Sequence, residues 1–129
     1  MGKEFINPKE AAQPVGPYSQ VVKAKAGHII MVAGQVAFNK KGEMVGKGDA
    51  AAQTRQIMKN MEACLKAAGA TFADVVKVNT YVTDMRTKDE VLKVRQEFFK
   101  GNKPAGTLVG VESLAYPGLM VEIEAMAII

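Results

Sequence analysis

Two carboxylates, Glu122 and Glu124, stand two residues apart in the run Met120-Val121-Glu122-Ile123-Glu124-Ala125-Met126-Ala127 near the end of the sequence. Polar and apolar positions alternate there with the period of a β-strand. Both acids therefore share a face with Met120 and Met126, and Val121, Ile123, Ala125 and Ala127 make the other. The second set belongs to a core. A glutamate held among methionines and removed from water has its pKa raised toward neutrality, which suits it to pass protons at pH 7. The competing reading is a strand carboxylate paired with a lysine or arginine across the ladder. Arg55, on a helix, is either an exposed charge or a buried structural partner for one of these acids, and the second is the expectation.

Other chemistries find less support. His28 is the only histidine and Cys64 the only cysteine, so no set with metal-ligand spacing exists and neither a metal nor a cofactor is expected. His28 follows Gly27 at a strand start and reads as a structural turn residue. Cys64, between Met61 and Leu65, reads as a buried inert thiol. A Ser–His–Asp triad would need His28 as its base, and no G-x-S-x-G elbow accompanies it. The glycines at 42, 46 and 48 are too far apart for a P-loop or a dinucleotide fingerprint.

The net charge is +4, but the lysines are scattered, and no RRM-like aromatic pair or helix-turn-helix spacing is present, so nucleic acid is not an expected partner. Apolar runs such as Ile29–Ala33 fall far short of the roughly 20 residues of a spanning helix, which argues against the membrane. No secretory signal is visible at the N-terminus and the lone cysteine fits a reducing interior, so the expected location is cytoplasmic.

The elements that must position the acids follow from periodicity. One domain is expected over 1–129. Strands are predicted near 19–25 and 28–36, with a short extra strand over Lys3–Ile6. A helix over about 50–68 has Asp49 as N-cap and Gly69 as C′ residue. Its apolar stripe is Ala51, Thr54, Ile57, Met58, Met61, Cys64, Leu65 and Ala68. A strand over 75–84 puts Val76, Val78, Thr80 and Val82 on one face. A second helix starts at Thr87 with a Thr87/Glu90 capping box, buries Val91, Leu92, Val94 and Phe98, and stops at Gly101. Strands over 106–114 and 120–128 end the chain.

The fold class is α+β, a mixed sheet with two helices on one face. Yet the strand at 28–36 is apolar on both faces, with Ile29, Met31 and Ala33 against Ile30 and Val32. A second face of that composition must be buried as well, most simply against another copy of the chain.

Four motifs then carry a resemblance: Gly16-Pro17-Tyr18-Ser19-Gln20, Ala33-Gly34-Gln35-Val36, Gln53-Thr54-Arg55-Gln56 with Ala67-Ala68-Gly69-Ala70, and Val121-Glu122-Ile123-Glu124-Ala125. In this order, over nearly the whole chain, they resemble the RidA/YjgF family, also labelled L-PSP endoribonucleases or translation inhibitors. The resemblance implies a chorismate-mutase-like fold and a homotrimer with clefts between subunits. It also implies hydrolysis of reactive imines and enamines, such as 2-aminoacrylate, to a keto acid and ammonia. Carried over, Tyr18 walls the pocket, Gly34 offers its backbone N–H to a carboxylate, and Glu122 holds and activates the attacking water. Ala33, Gly106, Thr107 and Leu108 complete the substrate-binding set, with Arg55 and Glu124 in supporting places.

The sequence departs from that pattern where the family's deaminases place a substrate-gripping arginine after Pro-Ala; here Pro104-Ala105 is followed by Gly106. Leu108 replaces a cysteine, and Ala33 replaces a serine. A bidentate arginine contact contributes roughly 1.5–3 kcal/mol, so its loss weakens the grip on a small carboxylate about tenfold to a hundredfold. Three readings follow: an imine hydrolase with a changed substrate, a non-enzymatic trimer that binds a small carboxylate or imine metabolite or a protein, and an RNA-cleaving translation inhibitor. The last lacks a paired histidine or metal constellation.

Overall fold

A computed structural model of the chain describes residues 2–25 and 27–129; Met1 and Ala26, within the expected domain, lie outside the described residues. The element order is β1 (Lys3–Ile6), β2 (Val21–Ala24), β3 (Ile29–Gln35), α1 (Ala50–Ala67), β4 (Val75–Val82), α2 (Lys88–Phe99), β5 (Ala105–Gly110) and β6 (Val121–Ile128). The fold is α+β, with both helices packed on a mixed sheet. Its four strands run in the order β3-β6-β4-β5, antiparallel except for the parallel β4–β5 pair. β1 and β2 make a separate antiparallel ribbon.

The core lies between the helices and one sheet face. Val121, Ile123 and Ala127 of β6 and Val78 and Val82 of β4 are fully buried against Ile57, Met58, Met61 and Leu65 of α1. Each of the larger side chains among them, valine upward, contributes about 1.5–3 kcal/mol of apolar transfer. Asp49 caps α1, its Oδ1 accepting from Ala52 N at 3.0 Å, and Gly69 follows the helix with φ +81°. Three residues leave the expected stripe: Ala51 and Cys64 are only half-buried, and Ala68 is exposed, being the cap beyond the last helical turn.

The start of α2 differs from expectation. Thr87 has helical backbone (φ −87°, ψ −1°) and makes no side-chain cap, because its hydroxyl already donates to Asp84 O at 2.7 Å. Asp84 instead caps a 3-10 turn over Met85–Thr87 that leads into the helix. At the other end Lys100, not Gly101, is the first left-handed residue (φ +49°) and closes the helix on Gln96 O. The buried residues are Val91, Val94, Arg95 and Phe99, whereas Leu92 and Phe98 are half-buried. A bulge between Val75 and Lys77 places Val75 rather than Val76 in the core cluster. β5 ends at Gly110, short of the expected 114, because its partner β4 ends at Val82 and offers no further ladder.

The other sheet face is bare. Ile29 and Met31 of β3 are 61% and 74% exposed, and Met31 lies beside Met126 of β6. This is the doubly apolar strand expected from sequence, seen without a cover. Among the described residues no helix is long and apolar enough to cross a membrane.

Candidate functional site

Glu122 and Glu124 both project from β6 onto the bare face, and there their environments part. Glu124 is engaged across the ladder: its Oε2 accepts from Asn79 Nδ2 at 3.0 Å and from Tyr81 Oη at 3.2 Å. Burial, then the charge and hydrogen bond of Glu124, then the charge of Glu122, push the Tyr81 phenol up. It therefore stays protonated and keeps donating. Glu122 makes no hydrogen bond or ion pair with the described residues. Its carboxylate lies over Gly34, where a β-carbon would stand only 1.9 Å from Oε2. A side chain at 34 would push the flexible end of Glu122 aside, so glycine here is what lets the carboxylate lie over the strand. β3 is bulged between Val32 and Gln35, the kind of irregularity that re-aims backbone near a site. Ala33 is exposed beside Gly34.

A second group of predicted residues gathers elsewhere. Ser19 forms an isolated parallel bridge to Ala105, donating from N to Pro104 O at 3.2 Å and from Oγ to Lys103 O at 2.6 Å. That tether sets Tyr18 against β5, where a β-carbon at Gly106 would be 3.6 Å from Tyr18 Cβ. Gly106 and Leu108 pair with Val78 and Thr80, both fully buried, and so point to the helix side of the sheet. With Thr107 they line a cavity of about 540 Å³ closed on its far side by α2.

That wall holds a residue not predicted for the site. Arg95 is 4% exposed and lines the cavity with Lys88, Asp89 and Lys93. Its Nη1 donates to Thr80 Oγ1 at 3.0 Å, its Nε has no partner, and its guanidinium lies over the Phe99 ring at 5.6 Å. Burial alone pulls its pKa down to about 10, so it remains a cation. The signal was present in the sequence, since Val91, Val94, Arg95 and Phe98 recur at helical spacing and place Arg95 on the apolar stripe.

Arg55 is a correction to the expected pattern. It does not support either strand glutamate; it sits exposed on α1 and pairs with Glu97 of α2 at 2.5 Å. The buried polar residues of the Gln53-Thr54-Arg55-Gln56 motif are instead Gln53 and Thr54, and Gln53 is the one that reaches across the fold. Its Nε2 donates to Gly46 O and Gly118 O, and its Oε1 accepts from Met120 N at 2.8 Å, fixing the entry to β6.

One chain thus keeps the two groups apart. Glu122 and Gly34 occupy the bare face on β6 and β3, while Tyr18, Gly106 and Leu108 occupy the helix side at β5, the opposite edge. At about 4.8 Å per strand, β3 and β5 are separated by roughly 14 Å in addition to lying across the sheet. A small metabolite cannot touch both groups in one copy.

Comparison with known proteins identifies the class. Residues 8–129 match the family model described as Endoribonuclease L-PSP, and the chain belongs to this family, the RidA/YjgF group. Among curated relatives, a RutC family protein of Pyrococcus horikoshii is 41% identical over 125 residues, covering 97% of each chain. A 2-iminobutanoate/2-iminopropanoate deaminase of Dermatophagoides farinae is 35% identical over 127 residues, covering 98% of this chain and 97% of its own. Among solved structures, the Rid family protein YyfB of Yersinia pestis superposes with a TM-score of 0.88 at 40% identity over the full length of both chains.

Proposed function

We propose that this protein hydrolyses small imines or enamines at sites completed between copies of the chain, in a homotrimer. The carrying observation is the division of the site: an uncommitted glutamate on an uncovered apolar face, and a cavity on the other side at the opposite edge. Bringing the bare face of one copy against the β5 edge of the next buries Ile29 and Met31 and sets Glu122 at the mouth of the neighbour's cavity. The deaminase relative at 35% identity supports the choice of reaction.

In this reading Glu122 orients a water and accepts its proton as the oxygen adds to the carbon of the C=N bond. That proton passes to nitrogen to give a carbinolamine; the carbinolamine hydroxyl then gives its own proton to nitrogen by way of the same carboxylate as the C–N bond breaks, and ammonia leaves a carbonyl product. Glu124 cannot replace it, being committed to Asn79 and Tyr81. The test is semicarbazide trapping of imines generated by an amino-acid oxidase. Wild type should compete with trapping and Glu122→Gln should not; equal trapping with both proteins across a panel of imines contradicts the proposal.

A second reading has its own observation. Gly106, Leu108 and Ala33 remove three side chains expected of the family's deaminases, which suits a trimer that binds a small carboxylate without turning it over. Thermal stabilisation by 2-oxobutyrate with no imine hydrolysis would decide for that module.

A further inference from the structure

We infer that Arg95 is the anion-binding residue of this protein, its guanidinium taking the carboxylate of a short-chain 2-oxo acid, or of the corresponding imine, in the cavity between α2, β5 and Tyr18. The inference rests on the cavity being part of the ligand site proposed above.

The arrangement of the guanidinium argues for it. Arginine carries five N–H donors in a rigid fork, yet among the described residues this one makes a single hydrogen bond, to Thr80 Oγ1, and its Nε is buried without a partner. The Phe99 ring supplies a cation–π contact but no acceptor. No carboxylate pairs with it: the ion pairs of the described residues are Arg55–Glu97 and Arg86–Asp84. The charged groups that share the cavity wall are Lys88, Lys93 and Asp89, a net positive lining. A buried guanidinium with open donors and no counter-charge is costly, and an anion entering the cavity supplies both the charge and the acceptors.

The opposite wall leaves room for it. Gly106 has no left-handed backbone to require glycine, and a β-carbon there would make only ordinary contacts, 3.4 Å to Val78 and 3.6 Å to Tyr18. Its missing side chain is thus not demanded by the fold, and it keeps the approach to Arg95 open. A cavity of about 540 Å³ is of the size that holds small ligands. Leu92, Leu108 and Tyr18 give the rest of the ligand an apolar lining.

Calorimetric titration of 2-oxobutyrate into the intact, full-length protein tests this. Arg95→Met should weaken binding about tenfold to a hundredfold, and Arg95→Lys, which keeps the charge but loses the fork, should fall between. The neutral analogue 2-butanone should not distinguish the three proteins. Arg95→Met combined with Gly106→Arg should recover affinity, because a guanidinium again reaches the cavity. Unchanged 2-oxobutyrate affinity in folded Arg95→Met overturns the inference; should that variant not fold, unchanged affinity in Arg95→Lys does so. Absence of binding by wild type at millimolar 2-oxobutyrate also overturns it. The imine assay separates the two proposals. Arg95-dependent binding without imine hydrolysis keeps this inference and removes the hydrolase, whereas Glu122-dependent hydrolysis with Arg95-independent binding does the reverse.

Discussion

The two faces of the four-stranded sheet differ in what they hold, and the proposed function makes them opposite halves of one chemistry. The helix side is closed, and its notable polar group is a buried cation, Arg95, beside a cavity. The other side is open and apolar, and its notable polar group is the Glu122 carboxyl, without a partner among the described residues. Within one copy neither satisfies the other, because the sheet stands between them. Both groups are therefore unsatisfied in the same sense, and in the proposed assembly contact between copies would complete both at once. On that proposal the sheet is less a platform for a site than a divider that makes the site depend on assembly.

Substitutions on the two faces should have different consequences. Replacing Glu122 by Gln should lower kcat/KM for imine hydrolysis by about 10²–10⁴, the usual worth of a positioned acid–base group, while leaving 2-oxobutyrate binding to the helix-side cavity largely intact. Gly34→Ala should act through the same acid. Its β-carbon would fall 1.9 Å from Glu122 Oε2, and a carboxylate displaced by about 1 Å loses roughly a hundredfold in rate. Met31→Asp, on the uncovered face, should convert the oligomer to a monomer by light scattering at micromolar concentration and abolish turnover with it. A wild-type protein that is already monomeric there would break the comparison outright.

Smaller effects fall on stability. Gln53→Ala should cost about 1–3 kcal/mol by leaving Met120 N and the Gly46 and Gly118 carbonyls unpaired, read as a fall in Tm of roughly 5–10 °C. Arg55→Ala removes only an exposed pair and should barely move Tm at neutral pH. Its signature is that even this small difference disappears in acid. Hydrogen bonding to Arg55, then charge, holds the Glu97 carboxyl below its ordinary range. The pair's small contribution is thus present above the unfolded glutamate pKa and is lost as pH falls through the folded value. Denaturant melts of wild type and Arg55→Ala should converge in that window and differ only above it.

Sequence alone reached the frame of this molecule further than its site. The period-two pattern of β6, the Asp49 cap and the doubly apolar β3 were legible because each depends on local spacing. The α2 capping box was not, because Thr87 and Glu90 fit the motif but Asp84 three residues earlier claims the Thr87 hydroxyl. Glu122 and Glu124 were indistinguishable on the strand. Only the cross-strand neighbours Asn79 and Tyr81, some forty residues away in sequence, tell them apart. The arginines show the same limit: a conspicuous motif drew attention to Arg55, which is solvent-facing, while Arg95 sat on the apolar stripe of α2 with no motif around it.

Complementation between two crippled chains tests the division of the site most directly. Glu122→Gln removes the acid, and Gly106→Phe fills the cavity, so each homo-oligomer should be inactive toward imines. Co-expressed and mixed at random, about a quarter of the contacts between neighbouring copies should pair an intact acid with an intact cavity, and roughly a quarter of wild-type hydrolysis should return. No recovery in verified hybrid oligomers would mean that acid and cavity act within a single chain or not at all, and a site shared between copies would be refuted.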